Sequence, residues 1–136
     1  MPMSDVVALL IGHGSSHSSQ KEVIVKLADI IKEKRVFADV YYAFMRVNDP
    51  PLRRVLRDIV KRGYRRVVAI PVFVSEGVHT AKDIPDALGI PRGSSHHKAL
   101  VDGVEVDVYY AKPLGVDERI AEVIITRGLE ALTENS

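Results

Sequence analysis

The chain has 136 residues, 46 % hydrophobic and 27 % charged, with a net charge of +1 and no cysteine. That suffices for one domain over 1–136 with one core, and it excludes a disulfide framework, a zinc–thiolate site and a thiol nucleophile. A charge so near zero supplies no field for nucleic acid or an anionic membrane, no apolar run approaches the ~20 residues of a membrane span, and MPMSDVV lacks a signal-peptide pattern, so the expected location is cytoplasmic.

Asp5 to Ser16, DVVALLIGHGSS, opens with a nearly continuous apolar run and breaks into Gly12-His13-Gly14 and a series of hydroxyls. A short apolar run ended by glycine reads as a parallel strand buried on both faces. Ser15 to Ser19 supply cap candidates for a helix over about Gln20 to Lys34, with Val23, Leu27, Ile30 and Ile31 as its apolar face. Ala38 to Met45 reads as the second strand, ended by Arg46-Val47-Asn48-Asp49 and by prolines that open the next helix. Leu52, Val55, Leu56, Ile59 and Val60 give that helix its apolar face, and Gly63 closes it. Arg66 to Val74 is the third strand, with Pro71 near its end because it cannot donate to the ladder. Ser75 to Pro85 reads as a loop, Ile84 to Leu88 as a short helix, and Gly89 to Gly103 as a long polar loop of the kind that is usually functional. Val104 to Ala111 reads as an edge-side fourth strand. Asp117 caps a last helix carrying Ile120, Val123, Ile124 and Leu129.

Strands alternating with helices predict a three-layer α/β/α domain on a four-stranded parallel sheet of order 2-1-3-4. Strands one and three are then neighbours, ~4.8 Å apart, and His13 and His79 follow their carboxyl ends at the switch point where α/β proteins bind ligands. Neutral imidazole suits Co²⁺, Ni²⁺, Fe²⁺ or Zn²⁺, and two histidines without a third protein ligand make an open site, better for passing a metal on than for storing it. Glu76, near His79, is a candidate third ligand or proton acceptor as well as a plain surface carboxylate. The hydroxyls and amides of Gly14, Ser15 and Ser16 at a helix start suit a carboxylate. Arg46, Ser75, Glu76, Gly77, Val78 and Thr80 border the same crevice and complete the expected substrate-binding set. His96 and His97 read as solvated loop residues. The third glycine of a dinucleotide fingerprint is replaced by His17, and no G-x-S-x-G elbow is present, which disfavours a small hydrolase built on Ser15 and His13.

Gly12-His13-Gly14-Ser15, the stretch Pro71 to Pro85 (PVFVSEGVHTAKDIP) and the Pro113-Leu114-Gly115 turn together resemble the sirohydrochlorin chelatases, the class II tetrapyrrole chelatases, in their small archaeal form. The resemblance spans essentially the whole chain. It implies a homodimer that inserts cobalt or nickel, as substrate metal rather than resident cofactor, into sirohydrochlorin for cobalamin or coenzyme F430. It implies that His13 and His79 hold the metal and help remove the pyrrole protons. Relatives often carry glutamate after the second strand where this chain has Arg46, a residue suited to a substrate carboxylate. Lys82, Arg92 and Lys98 lie in loops where they could meet the carboxylate rim. An iron chelatase for siroheme, or a non-catalytic metal or tetrapyrrole carrier of the same fold, is the alternative.

Overall fold

The computed structural model describes residues 3–134, without the side chains of Met3, Ser4, Ser18, Val78 and His79. Nine elements follow one another: β1 (Met3–Gly12), α1 (Ser18–Glu33), β2 (Phe37–Phe44), α2 (Leu52–Lys61), β3 (Arg66–Pro71), α3 (Val78–Leu88), β4 (His96–Val101), β5 (Val104–Tyr110) and α4 (Glu118–Glu134). They form one five-stranded sheet of order β2-β1-β3-β5-β4. β2, β1, β3 and β5 are mutually parallel, as expected for the four strands read from sequence.

The fifth strand is a correction. β4 occupies much of the stretch read as a long loop and pairs antiparallel with β5, from His96 opposite Tyr109 to Val101 opposite Val104. Asp102 and Gly103 form the two-residue turn between them, both at positive φ (49° and 80°). An Asp-Gly pair at positive φ is the turn whose twist matches a hairpin. β5 is therefore not the edge; β4 covers it.

The central strand is buried on both sides. Val7, Leu9 and Ile11 of β1 cluster with Val67 and Ala69 of β3 and with Leu52, Val55, Leu56 and Ile59 of α2 and Ile84 and Leu88 of α3. Ala8 and Leu10 point the other way and are equally buried. α2 presents the apolar face read from its sequence, all five residues buried. Each such aliphatic side chain contributes about 1.5–3 kcal/mol by leaving water.

α1 packs on β1 and β2 through Ile24 and Ala28, and of the expected face only Ile31 is half-buried. Val23 (55 % exposed) and Ile30 (52 % exposed) face solvent. The residue before this helix, His17, is extended and makes no side-chain cap; Ser15 Oγ instead accepts the His17 N–H (3.1 Å).

β3 stops at Pro71 rather than Val74, and the chain leaves the ladder after the Val72 N–H reaches Ile11 O (2.8 Å). α3 starts six residues earlier than the short helix expected, at Val78, with Pro85 inside it and Gly89 (φ 75°) closing it. Asp117 caps α4 as expected, its Oδ1 accepting the Arg119 N–H (2.9 Å). No residue of α4 is buried, however. Its apolar positions do not cover this sheet.

Candidate functional site

The carboxyl end of β1 is locked to the segment after β2. Gly12 has no room for a side chain: a Cβ there would lie 2.8 Å from the Phe44 ring. Its carbonyl accepts the Met45 N–H (3.1 Å). Gly14 has φ +97°, and a Cβ there would fall 1.9 Å from the Arg46 carbonyl oxygen, so only glycine fits. Ser15 N–H donates to Asn48 Oδ1 (2.7 Å). Between these fixed points His13 projects, exposed, with its ring edge-on to Phe73 at 6.4 Å. Phe73 lies just past β3, so the ends of the two neighbouring strands meet as the switch-point argument requires.

His79 is on the first turn of α3 rather than in a loop; its side chain, like that of Val78, lies outside the described residues. Thr80, 5 % exposed, accepts the Gly77 N–H at its Oγ (2.8 Å) and donates to the Gly77 carbonyl (3.0 Å). This is a third-position side chain reaching back to the cap residue. Glu76 Oε1 accepts the Tyr110 hydroxyl (2.5 Å).

A cleft of about 810 Å³ opens at this end of the sheet, lined by His13, Phe44, Met45, Arg46, Pro51, Leu52, Arg53, Thr80, Asp83, Asp86 and Ala87. Of the expected set, His13, Arg46 and Thr80 line it. Gly14, Ser15 and Ser16 form the adjoining turn, where Asn48 already takes the Ser15 amide. Ser75, Glu76 and Gly77 lie in the neighbouring loop. One wall is apolar, from Phe44, Met45 and Leu52, and Arg46 and Arg53 bring positive charge to it.

Arg92 is engaged, and Lys98, His96 and His97 lie on β4 rather than in a loop. Arg92 is paired with Asp86 of the cleft wall (3.0 Å) and holds that carboxyl below its usual range. Lys98 sits on β4 opposite Asp107. His96 is also on β4, stacked on Tyr109 (4.3 Å between centroids, 10° between planes) with Nε2 2.9 Å from Asp107 Oδ1. Asn48 and Arg53 were not singled out from sequence. Asn48 stands in a run read only as a strand stop, and its partner is 33 residues away. Arg53 lies on the helix opened by the prolines, and nothing in its local pattern tells a cleft-facing arginine from a solvated one. Among the described residues no three His, Asp or Glu side chains come together to hold a metal, and no helix is long and apolar enough to cross a membrane.

The CbiX family model matches residues 7–131. This chain belongs to the CbiX family. It is 36 % identical over 142 residues to the sirohydrochlorin cobaltochelatase of Methanopyrus kandleri, covering 95 % of this chain and 99 % of that protein. It is 39 % identical over 124 residues to that of Methanosarcina acetivorans, covering 91 % and 95 %. The fold is that of the sirohydrochlorin chelatase SirB from Bacillus subtilis, solved in complex with cobalt (TM-score 0.77, 20 % identity). That alignment covers 93 % of this chain and 50 % of SirB. A CbiX protein of cobalamin biosynthesis from Marinobacter aquaeolei superposes with TM-score 0.70 and 23 % identity, covering 96 % and 99 % of the two chains.

Proposed function

We propose that this CbiX-family protein inserts a divalent metal into sirohydrochlorin. The observation that carries the reading is the glycine-locked presentation of His13 at the mouth of the cleft, beside the start of the helix that bears His79. The archaeal relatives named as sirohydrochlorin cobaltochelatases support it.

Metal insertion must strip water from M²⁺, bring the ion to the ring nitrogens, and remove two N–H protons as the ion becomes bound by all four ring nitrogens. His13 and His79 are assigned the metal-holding role, and each imidazole, once the metal has moved to the ring, can take a proton. The apolar wall of Phe44, Met45 and Leu52 suits the flat macrocycle. Arg46 and Arg53 suit its carboxylate rim, because a guanidinium fork matches a carboxylate in two parallel hydrogen bonds. The amides of Gly14 and Ser16 and the hydroxyls of Ser15 and Ser16 add donors at the turn. Cobalt or nickel is the assigned substrate metal, and the cytoplasm the assigned compartment.

The working unit is a homodimer. Val123, Ile124, Ile125, Leu129 and Leu132 of α4 are 52–71 % exposed. A row of such residues on a helix that has no buried residue marks an association surface. Val23, Leu27 and Ile30 of α1 offer a second apolar stripe in the same chain, which a symmetric pair can use reciprocally.

The test is anaerobic incubation of sirohydrochlorin with protein and Co²⁺, Ni²⁺ or Fe²⁺ in turn, following loss of the metal-free absorbance. Catalysed insertion of cobalt or nickel is expected. Binding of ring or metal without acceleration would indicate a carrier, and a preference for iron would indicate a siroheme enzyme.

A further inference from the structure

Glu76 lies three residues before His79 and is exposed, as an additional metal ligand or base would be. Its carboxylate is nevertheless engaged: Oε1 accepts the hydroxyl of Tyr110 (2.5 Å). Tyr110 is the last residue of β5 and packs against the main core cluster, so the donor is fixed to the sheet. Burial, reinforced by the bond to Glu76, raises the phenol above the ordinary tyrosine value, so it keeps its proton and remains a donor at any working pH.

The same loop is held along its length. Leu114 N–H donates to Phe73 O (3.0 Å) and Gly115 N–H to Val74 O (2.8 Å). Thr80 closes Gly77 at the far end. The Tyr110–Glu76 bond falls between these backbone ties and the helix start, where it fixes the approach to α3.

We propose that Tyr110 is a positioning residue that, through Glu76, sets the entry to α3 and with it the place of His79, and that Glu76 serves as an acceptor for this strut rather than as a metal ligand or base. The proposal deepens the metal-insertion reading and rests on its assignment of His79.

Glu76→Gln separates the two roles, because an amide oxygen still accepts from Tyr110 but makes a poor base and a weaker ligand. The set is Tyr110→Phe, Glu76→Ala, Glu76→Gln and the Tyr110→Phe/Glu76→Ala double variant. Each is measured for kcat and KM of cobalt insertion, and for Co²⁺ affinity and visible spectrum without tetrapyrrole. Tyr110→Phe and Glu76→Ala should each lower kcat and Co²⁺ affinity by about 10–100-fold, the usual cost of losing the support behind a metal ligand. KM for the tetrapyrrole should hold. The double variant should be no worse than either single, and Glu76→Gln should keep most of the activity and an unchanged cobalt spectrum. Glu76→Gln as inactive as Glu76→Ala would overturn the proposal, as would Tyr110→Phe with parental kcat and Co²⁺ affinity. Glu76 is exposed, so its variants keep the test valid should Tyr110→Phe fold poorly. If the parent protein inserts no metal, the reading of function fails, while the Co²⁺ affinities and spectra still decide the strut.

Discussion

Two kinds of residue make the site: those that meet the ligands, and those that hold them in place. His13 is held by neighbours that cannot be exchanged freely. Gly14 is fixed by its approach to the Arg46 carbonyl and Ser15 by Asn48. Asn48→Ala removes the acceptor of the Ser15 amide and should lower kcat by about 10-fold or more with little change in thermal stability, since support behind a metal ligand is worth 10–100-fold. Asn48→Asp keeps an acceptor oxygen and should retain most of the rate. Steady-state kinetics beside a melting curve check this, and an equal loss in both variants would mean that the amide group itself acts. The turn that presents His13 between its glycines was legible because Gly-His-Gly after an apolar strand is a local pattern. Asn48 was not, because its role exists only once β1 and the segment after β2 are side by side.

At the scale of elements, periodicity located the four parallel strands and the buried face of α2, where a run of aliphatic residues has one reading. It failed where local chemistry mattered more than period. Pro85 and the polar residues before it made the first turns of α3 read as loop. The hairpin was signalled by Asp102-Gly103, a turn pair lying between the polar stretch His96–Lys98 and the strand that follows. Gly103→Ala places a side chain at φ +80° and should destabilise the fold by about 1–2 kcal/mol, lowering Tm, with insertion kinetics intact because the hairpin lies away from the cleft. An unchanged Tm would show that the hairpin adds little. At the other end of the chain, the side chain of Arg119, then its backbone N–H, hold the Asp117 carboxyl well below its usual range. A depressed carboxyl stabilises above its unfolded pKa of about 3.9 and loses that contribution as pH falls through the lower folded value. Asp117→Ala should therefore fray α4 at neutral pH, and parent and variant should converge in strong acid. Circular dichroism at both pH values measures this, and parallel curves for the two proteins would argue against the cap.

For the whole molecule, the four parallel strands and their order followed from the alternation of strands and helices, while the antiparallel β4 did not, and the CbiX match agrees with an α/β reading. What alternation could not reveal was that α4 leaves its own sheet uncovered. A helix that carries a row of aliphatic residues looks the same in sequence whether it packs at home or on another copy. Light scattering at micromolar concentration should give a dimer mass. Replacing Ile125 and Leu129 together by Asp should give a monomer, because it buries charge in the apolar contact. A parent protein already monomeric would remove the dimer from the account.

In the proposed reaction, metal reaches the ring through His13 and His79. Its most direct measurement is anaerobic cobalt insertion into sirohydrochlorin by the parent protein, His13→Ala, His79→Ala, their double variant and the His96→Ala/His97→Ala variant. The account predicts that either site substitution removes most of the activity while the fold survives, that the double variant loses little more because both residues serve one metal, and that the His96/His97 variant stays close to the parent. Near-normal turnover in His13→Ala together with an inactive His96/His97 variant would contradict it and place the metal at the β4 edge.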